Sequence, residues 1–275
     1  MRRIRIAFVL PHLLAGLLFA GCEDNTLSTC DIPPAVPTGV ITVTGDGEVT
    51  IFWNPVWEED VAGYGVYRSA TLDGAYVRIA TREGVATDYH TDSNVVNGTT
   101  YFYAVDAYDL NGNESALSYE DAFDTPRPDG TGILVMAREE VPSSSALDFS
   151  LYGTAGFVTS HIAAYADLVV LRDSGVLYAV GTVIGGFPND IQDMGYTYTM
   201  DEISWAPAEG WSISPTGVEL IPGHTYVVWT WDSHFAKFRV TEEYFTTPGI
   251  PAGVQIDWAY QTDLDNPELS PAYSP

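Results

Sequence analysis

Residues 97–115, NGTTYFYAVDAYDLNGNES, contain the clearest structural pattern of this chain. Asn-Gly pairs lie near both ends, and such pairs favour tight turns between short strands. Between them the side chains of Tyr101, Tyr103, Val105 and Ala107 recur at every second position. A period of two is typical of a strand with one buried face, whereas a helix repeats its apolar positions every three or four residues. The stretch therefore predicts a half-buried strand that ends in a turn.

Four shorter runs upstream show the same alternation. They are GVITVT (39–44), VTIFWN (49–54), GYGVYRS (63–69) and AYVRIA (75–80). Turn-forming residues separate the runs, and no stretch of useful length repeats with a helical period. About seven short strands bounded by turns are typical of a β-sandwich, which is the fold we predict for residues 33–127.

Several marks in this span occur in a recognisable order. Pro34 and Pro37 precede the first run, Trp53 lies in VTIFWNP, and Tyr101 lies in a Gly-Thr-x-Tyr-x-x-x-Val-x-Ala pattern. With these marks residues 33–127 resemble a fibronectin type III domain. The resemblance implies that Trp53 is the core tryptophan and Tyr101 the tyrosine-corner residue, so both are structural. Members of the family often serve as spacers or binding modules, and the fold alone does not decide the function.

The turn at the end of this stretch has, at four positions, the spacing of a calcium-binding loop. Asp109, Asn111, Asn113 and Glu120 fall at positions one, three, five and twelve of such a loop. Position six is Glu114, where the sharp turn needs glycine, and strands rather than helices flank the segment. We expect a hairpin turn here.

The chain opens with MRRIRIAFVLPHLLAGLLFAGC, in which three arginines precede an apolar run and small residues. This layout is that of an export signal, and its end resembles the bacterial lipobox. We predict a signal peptide over 1–21, lipidation at Cys22, and a lipidated tether over 22–32 that anchors the protein in the bacterial cell envelope. The alternative is a disulfide between Cys22 and Cys30, so the state of Cys30 stays open.

The net charge of the chain excludes nucleic acid as a partner. The chain has 11 Lys and Arg against 37 Asp and Glu, a formal net charge of −26. Binding to nucleic acid requires clustered cations, which this chain lacks. The acidity also argues against adhesion to anionic lipid beyond the anchor, and a soluble acidic surface explains it.

Residues 128–275 follow a linker rich in Pro and Gly and are again rich in strand patterns. The runs are GILVMAR (132–138), ALDFSLYG (146–153), ADLVVLR (166–172), VLYAVG (176–181), YTYTM (196–200) and VQIDWAYQ (254–261). We therefore predict an all-β chain, in which an N-terminal fibronectin type III β-sandwich is followed by a second antiparallel β-domain.

A hairpin is predicted in GHTYVVWTWDSHFAKFRV, residues 223–240, with its turn at Asp232-Ser233. This turn sets Trp229 opposite Ala236 and Val227 opposite Phe238. One face of the hairpin should then be buried, and Trp258 should join the core from the next strand. The buried face comprises Val227, Trp229, Phe238 and Val240.

The other face of the hairpin carries Lys237, the only lysine of the chain, with Arg239, Tyr226 and Phe235. Two interpretations remain open. The cations form an ion pair within the sheet, for which Asp257 is the natural partner, or they form the cationic, aromatic wall of a ligand site. We expect the ion pair, because carboxylates are the commonest partners in so acidic a chain.

The last strands, YVVWTWDSHFAKFRV followed by VQIDWAYQ, resemble the C-terminal strands of HmuY-like haem-binding lipoproteins. The resemblance implies haem as a possible cofactor; no other cofactor and no metal is predicted. The candidate axial ligands are His161, His224, His234, Met194 and Met200. His224 and His234 lie at opposite ends of the hairpin, roughly 20 Å apart, so they cannot share one iron.

Common catalytic motifs such as G-x-S-x-G, H-E-x-x-H and the P-loop do not occur in the sequence. The sequence therefore favours an exported, lipid-anchored cell-envelope protein with a non-catalytic binding or structural role. Haem capture and the binding or hydrolysis of a glycan are the alternatives. The expected partners are the membrane, through the anchor, and a protein, glycan or small molecule that the sequence does not identify.

Overall fold

A computed structural model describes residues 32–184, 187–188, 190–212 and 217–270. The predicted signal segment, Cys22 and Cys30 lie outside the described residues. The regular elements of the described part are antiparallel strands and short 3₁₀ turns at Pro142–Ser144, Phe149–Leu151 and Met200–Glu202. No helix among these residues is long and apolar enough to cross a membrane.

Seven strands build the N-terminal unit. They are β1 (Thr38–Gly45), β2 (Glu48–Asn54), β3 (Val61–Ser69), β4 (Val77–Glu83), β5 (Tyr89–Asp92), β6 (Tyr101–Asp109) and β7 (Ala122–Asp124). A sheet of order β1-β2-β5 faces a sheet of order β4-β3-β6-β7. This is the strand arrangement of a fibronectin type III sandwich, as the sequence predicted.

The inner positions of both sheets form the core of the sandwich. Trp53 is 3% exposed, and its ring lies 5.4 Å from the ring of Tyr64. The hydroxyl of Tyr101 accepts a hydrogen bond from the Val96 amide at 3.2 Å, which ties the start of β6 to the preceding loop. Trp53 and Tyr101 therefore both serve the packing of this unit.

The turn after β6 uses its own polar groups. The carboxylate of Asp109 accepts hydrogen bonds from the amides of Asn111 and Asn113 and from the side chain of Asn113, at 2.8–2.9 Å. Gly112 has a φ of +89°, which a tight turn of this kind requires. Donors within the loop therefore occupy the carboxylate of Asp109. This accounts for the Asp and Asn residues whose spacing resembles that of a calcium loop.

Twelve strands of the described residues follow. They are β8 (Asp129–Met136), β9 (Ala146–Leu147), β10 (Val158–Thr159), β11 (Leu168–Asp173), β12 (Val176–Gly181), β13 (Val183–Ile184), β14 (Phe187–Pro188), β15 (Asp190–Tyr196), β16 (Val218–Glu219), β17 (His224–Trp229), β18 (Phe235–Thr247) and β19 (Ile250–Tyr260). The main sheets have the orders β15-β17-β18-β19-β8 and β10-β9-β11-β12-β16. Their facing sides enclose a core that includes Phe149, Phe157 and Trp258, the last 5% exposed.

Two predicted strands are shorter than their patterns suggested. Only Ala146–Leu147 of the run 146–153 is a strand, because a 3₁₀ turn follows it. The run 196–200 was predicted as a strand, and this was wrong: β15 ends at Tyr196. There Thr199 and Glu202 form a capping box that starts a 3₁₀ turn instead.

The two units meet at a buried polar contact. The guanidinium of Arg127, 2% exposed, donates to the carbonyl of Thr125 at 3.1 Å and to the hydroxyl of Thr44 at 3.2 Å. It also lies 3.9 Å from the carboxylate of Glu268, which accepts a hydrogen bond from the Thr125 hydroxyl. Residues of the sandwich and of the C-terminal unit thus share one charged cluster within a single compact body.

Candidate functional site

The loop of the β17–β18 hairpin determines which side chains lie on each face of the sheet β15-β17-β18-β19-β8. The Thr230 amide donates to the His234 carbonyl at 2.9 Å, so Trp231, Asp232 and Ser233 form a three-residue loop. Ser233 has a φ of +65°, the left-handed conformation that such loops need at their third position. The predicted loop had two residues. The observed register is therefore shifted by one, and a shift of one residue moves side chains to the opposite face.

The shifted register changes which residues share a face. Val227 lies opposite Lys237, and Tyr226 lies opposite Phe238. The predicted pairing of Val227 with Phe238 was wrong. Tyr226 and Phe238 stack at 5.0 Å in the core between the two main sheets, so Tyr226 is a core residue and not part of a ligand wall.

The prediction that Trp229 is a core residue was also wrong, since its side chain is 40% exposed. The register places it on the outer face of the sheet, with Val227 and Phe235. Val227, Phe238 and Val240 are buried as predicted, although Val227 and Phe238 lie on opposite faces. Both faces of this sheet carry buried residues, and an alternating pattern cannot reveal that.

Lys237 is 1% exposed, whereas its face was expected to be mixed or open. Its ammonium donates to the carbonyls of Met200 at 2.8 Å and Ile203 at 3.3 Å and to the hydroxyl of Ser270 at 2.5 Å. Its acidic neighbour is Asp201, at 3.6 Å. Burial lowers the pKa of Lys237 to about 7. Lys237 therefore fastens the 200–203 turn and the segment near Ser270 onto the sheet.

The proposed partner of both cations, Asp257, is engaged elsewhere. Asp257 lies opposite Arg239 in the register, but its carboxylate accepts a hydrogen bond from the Gly132 amide at 3.0 Å. Arg239 donates through Nε to the Thr197 carbonyl at 3.0 Å. The prediction of an ion pair with Asp257 was therefore wrong for Lys237, whose acidic neighbour comes from a turn outside the sheet.

The structure keeps the candidate haem ligands apart along the hairpin. His224 and His234 lie at its opposite ends, and the Nδ1 atom of each faces an aspartate, Asp193 at 3.0 Å and Asp232 at 3.3 Å. His161 places Nδ1 3.2 Å from the Pro142 carbonyl.

The two methionines proposed as ligands have other surroundings. Met194 packs against the cluster on the outer face, and the carbonyl of Met200 binds Lys237. Within the described ranges no group of three or more His, Cys, Asp or Glu residues is placed to hold a metal ion.

The outer face of the C-terminal sheet carries an aromatic cluster. Trp229, Trp211 and Phe235 form a triangle of rings, in which the indoles lie 5.6 Å and 6.2 Å from the Phe235 ring at interplanar angles of 26° and 23°. The two indoles are 6.2 Å apart. Phe235 is only 8% exposed, so it supports the two tryptophans from below. We call Trp211, Trp229, Phe235 and their polar neighbours Asp190 and Gln192 the outer aromatic face.

Two polar side chains complete the outer aromatic face. Asp190 lies opposite Trp229 in the β15–β17 register and Gln192 lies opposite Val227, so both point to the side of Trp229. Oδ1 of Asp190 and Oε1 of Gln192 are buried acceptor atoms that receive no hydrogen bond from the described residues. Gln192 packs against the loop at Gly210, where an added Cβ would lie 3.2 Å from its amide nitrogen. Buried acceptors of this kind are usually satisfied, and none of the described residues donates to these two.

A second aromatic pair lies at the loop of the same hairpin. Tyr165 and Trp231 are 54% and 40% exposed, and their rings are 4.7 Å apart. The Trp231 amide donates to the carboxylate of Asp167, which is fully buried. This hydrogen bond fixes the direction in which Trp231 leaves the hairpin.

Aromatic rings on a sheet face beside polar side chains can bind a ligand that has both an apolar face and polar groups. Sequence reasoning found Trp229 and Phe235 but assigned Trp229 to the core. It missed Trp211, Asp190 and Gln192, because they are brought to Trp229 by strand register and by a loop. The feature of the sequence that could have indicated this face is Trp211, a tryptophan in the turn-rich segment AEGWS.

No model of a known protein family matches the chain. An amylopullulanase of Thermoanaerobacter thermohydrosulfuricus is 28% identical over 217 residues, which are 74% of this chain and 13% of that protein. An amylopullulanase of Thermoanaerobacterium saccharolyticum is 38% identical over 107 residues, 39% of this chain and 8% of that protein. A solved Fn3-like protein from Clostridium thermocellum is 31% identical, covers 36% of this chain and 100% of its own, and has a TM-score of 0.29. The chain thus spans a small part of these curated relatives.

Proposed function

We propose that this protein is a non-catalytic glycan-binding module of the cell envelope, in which the sandwich carries a C-terminal β-unit that holds the glycan on its outer aromatic face. The observation that carries the proposal is the exposure of Trp229, 40%, on a sheet face where Phe235 and Trp211 support it. A contiguous patch of apolar rings on a protein surface indicates an interaction site, whereas single exposed rings are common.

The chemistry of sugars suits this face. A pyranose ring presents C–H groups on its flat sides, which pack on aromatic rings, and hydroxyl groups on its edge, which need acceptors. Trp211 and Trp229 supply the rings, and Asp190 and Gln192 place a carboxylate and an amide side chain on the same side of the sheet. One face therefore offers both kinds of contact.

The relatives support the same class of ligand. Two of them are amylopullulanases, enzymes named for polysaccharides, and this chain matches only 13% and 8% of their lengths. A match to so small a part of a large enzyme is compatible with an accessory unit that binds rather than cleaves. The glycan of this chain is not taken from those names.

Retardation of the protein in gels that contain soluble neutral polysaccharides tests the proposal. Wild-type protein should be retarded by at least one glucan, mannan or xylan. Trp229→Ala and Trp211→Ala should each weaken this binding about tenfold or more, because loss of a tryptophan at the centre of an interface commonly costs 2 kcal/mol or more.

Trp57→Ala is the matched control, since Trp57 is 73% exposed on the N-terminal sandwich. This variant should bind as wild type does. Equal binding by Trp229→Ala and wild type, or no retardation of the wild-type protein by any polysaccharide, contradicts the proposed function.

Export and lipid attachment at Cys22 are part of the proposal. The support is the arginine-rich, then apolar segment that ends in Gly21-Cys22. Mass spectrometry of the protein from its native membrane should find Cys22 as the modified first residue. A Cys22 that is instead joined to Cys30 by a disulfide would contradict the anchor and leave glycan binding untouched.

Haem capture is the other candidate. Nothing among the described residues favours it over glycan binding, since His224 and His234 lie at opposite ends of the hairpin and face aspartates. An absorbance titration with haemin checks it, and a saturable shift of the Soret band that is lost in His234→Ala would favour haem.

A further inference from the structure

Tyr165 and Trp231, which we call the loop pair, are exposed aromatic residues that lie outside the outer aromatic face. Their side chains are 54% and 40% exposed, and their rings lie 4.7 Å apart at an interplanar angle of 35°. Tyr165 precedes β11, and Trp231 begins the loop between β17 and β18. Two distant segments of the chain therefore bring two large rings together and leave them open to solvent.

Buried contacts hold the backbone of the loop pair in place. The Trp231 amide donates at 3.3 Å to the carboxylate of Asp167, which is fully buried and follows Tyr165 by two residues. The next loop residue, Asp232, accepts a hydrogen bond from the Tyr260 hydroxyl at 3.1 Å. Rings on a backbone that is already fixed cost a ligand little conformational entropy when it binds them.

The loop pair begins where the outer aromatic face ends along the chain. Trp229 is the last residue of β17 and Trp231 follows it by two residues, so their Cα atoms are at most about 7 Å apart. Thr230, which lies between them, is buried and places no exposed side chain between the two indoles. Two pairs of rings thus start from neighbouring points of one hairpin: Trp211 with Trp229, and Trp231 with Tyr165.

Two neighbouring pairs of rings suit a ligand that is built of repeated units. In a glycan chain each sugar is joined to the next by a glycosidic bond. Once one sugar is bound at Trp211 and Trp229, that bond keeps the following sugars at a high effective concentration near the loop pair. Contact with the second pair then adds affinity without the translational and rotational cost of binding a separate molecule.

On the basis of the proposed function, we propose that the loop pair is a second subsite for the same ligand, so that the protein binds several consecutive sugars of one glycan chain. Tyr165 and Trp231 contact the sugars that extend beyond Trp229. A disaccharide occupies the first pair of rings alone, whereas a longer oligosaccharide reaches both.

The dependence of affinity on oligosaccharide length, measured by titration calorimetry, tests the second subsite. The probes are maltose and maltohexaose, cellobiose and cellohexaose, mannobiose and mannohexaose, and xylobiose and xylohexaose. In at least one series wild-type protein should bind the hexasaccharide about fiftyfold or more tightly than the disaccharide. A factor of about five arises because a hexasaccharide offers five overlapping disaccharides, and about tenfold comes from the loop pair.

Single substitutions in the two pairs of rings should have different effects. Trp231→Ala and Tyr165→Ala should each weaken binding of the hexasaccharide about fivefold or more and leave binding of the disaccharide within about twofold of wild type. Trp229→Ala should weaken binding of both lengths, because it removes a ring of the first pair. Trp57→Ala, on the surface of the sandwich, is the control and should change neither.

The outcomes separate this inference from the proposed function. A wild-type ratio of about five or less, or an unchanged ratio in both Trp231→Ala and Tyr165→Ala, overturns the second subsite and leaves glycan binding intact. Failure to bind any of the eight oligosaccharides, together with no retardation by any polysaccharide, overturns the proposed function itself. Because Tyr165 and Trp231 come from different segments, a folding defect in one variant leaves the other to decide.

Discussion

Lys237 and Ser270 show how a buried pair can resemble a catalytic one. Their Nζ and Oγ atoms lie 2.5 Å apart, and a lysine of lowered pKa beside a serine is the arrangement of a Ser–Lys nucleophile. Both residues are 1% exposed. The ammonium donates to two backbone carbonyls and to the Ser270 hydroxyl, so all three of its N–H groups are engaged. The pair holds two segments together and is not accessible to a substrate.

Asp167 is the residue through which the stability of the C-terminal unit depends most clearly on pH. It is fully buried, and burial raises its pKa to about 8, although its carboxylate accepts hydrogen bonds from the amides of Phe149 and Trp231. Because the folded pKa exceeds the ordinary value of 3.8, its contribution to stability is fully present below about pH 4 and is lost as the pH rises to about 8.

We therefore predict that the free energy of unfolding falls by a few kcal/mol between about pH 4 and pH 8, and that Asp167→Asn reduces this fall. Urea denaturation at a series of pH values measures it. Asp124, whose pKa burial raises to about 7, contributes in the same direction, so the slope should shrink without disappearing. Asp73→Asn, at an exposed position, is the control. An identical slope in Asp167→Asn and wild type would mean that Asp167 titrates alike in both states.

At the scale of elements, the sandwich could be predicted because its signals are local. Alternation within β2, β3 and β6 and turn residues between them determine both the strands and their inward faces. The tyrosine corner adds a hydrogen bond between Tyr101 and Val96 that lies only five residues away in sequence. Such features can be read from a single segment of the chain.

The hairpin of β17 and β18 was predicted as an element, but the assignment of its side chains to the two faces of the sheet was wrong. One extra loop residue, Ser233 in the left-handed conformation, shifts the register and exchanges the two faces. Asp-Ser can form either loop, because serine does not favour a positive φ strongly enough to decide the length. The error at Trp229 follows from that single residue.

The remainder of the outer aromatic face depends on distant segments. Asp190 and Gln192 reach Trp229 through the pairing of β15 with β17, whose paired residues are 28 positions or more apart in sequence. Trp211 arrives from a loop with no strand pattern of its own. Neither alternation nor turn chemistry contains this information, so the site could be found only from the assembled sheet.

At the scale of the whole molecule, Arg127 connects the sandwich to the C-terminal unit. It is 2% exposed and lies among Asp124, Thr125 and Glu268, and burial raises the pKa values of both acids. The Thr44 hydroxyl donates to Asp124 and the Thr125 hydroxyl donates to Glu268, and the guanidinium adds a positive charge that offsets both carboxylates. Removing it leaves buried acids without a cation.

Arg127→Met should therefore lower the free energy of unfolding by about 3–5 kcal/mol, measured by urea denaturation at neutral pH. Adding Glu268→Gln should recover part of the loss. Arg138→Met is the matched control, since the ion pair of Arg138 with Glu139 is largely exposed and should contribute less than about 1 kcal/mol. A loss from Arg127→Met as small as that of the control would show that the contact does not hold the two units together.

The central claim, that the outer aromatic face is the ligand site, is tested most directly by the indole N–H signals of the seven tryptophans in a nitrogen-15 NMR titration with a neutral oligosaccharide. The signals of Trp229 and Trp211 should shift progressively and saturate together. Those of Trp53, in the core of the sandwich, and of Trp57, on its surface, should not move. Shifts confined to Trp57, or no shift of Trp229 with an oligosaccharide taken from a polymer that retards the protein, would place the site elsewhere and contradict the claim.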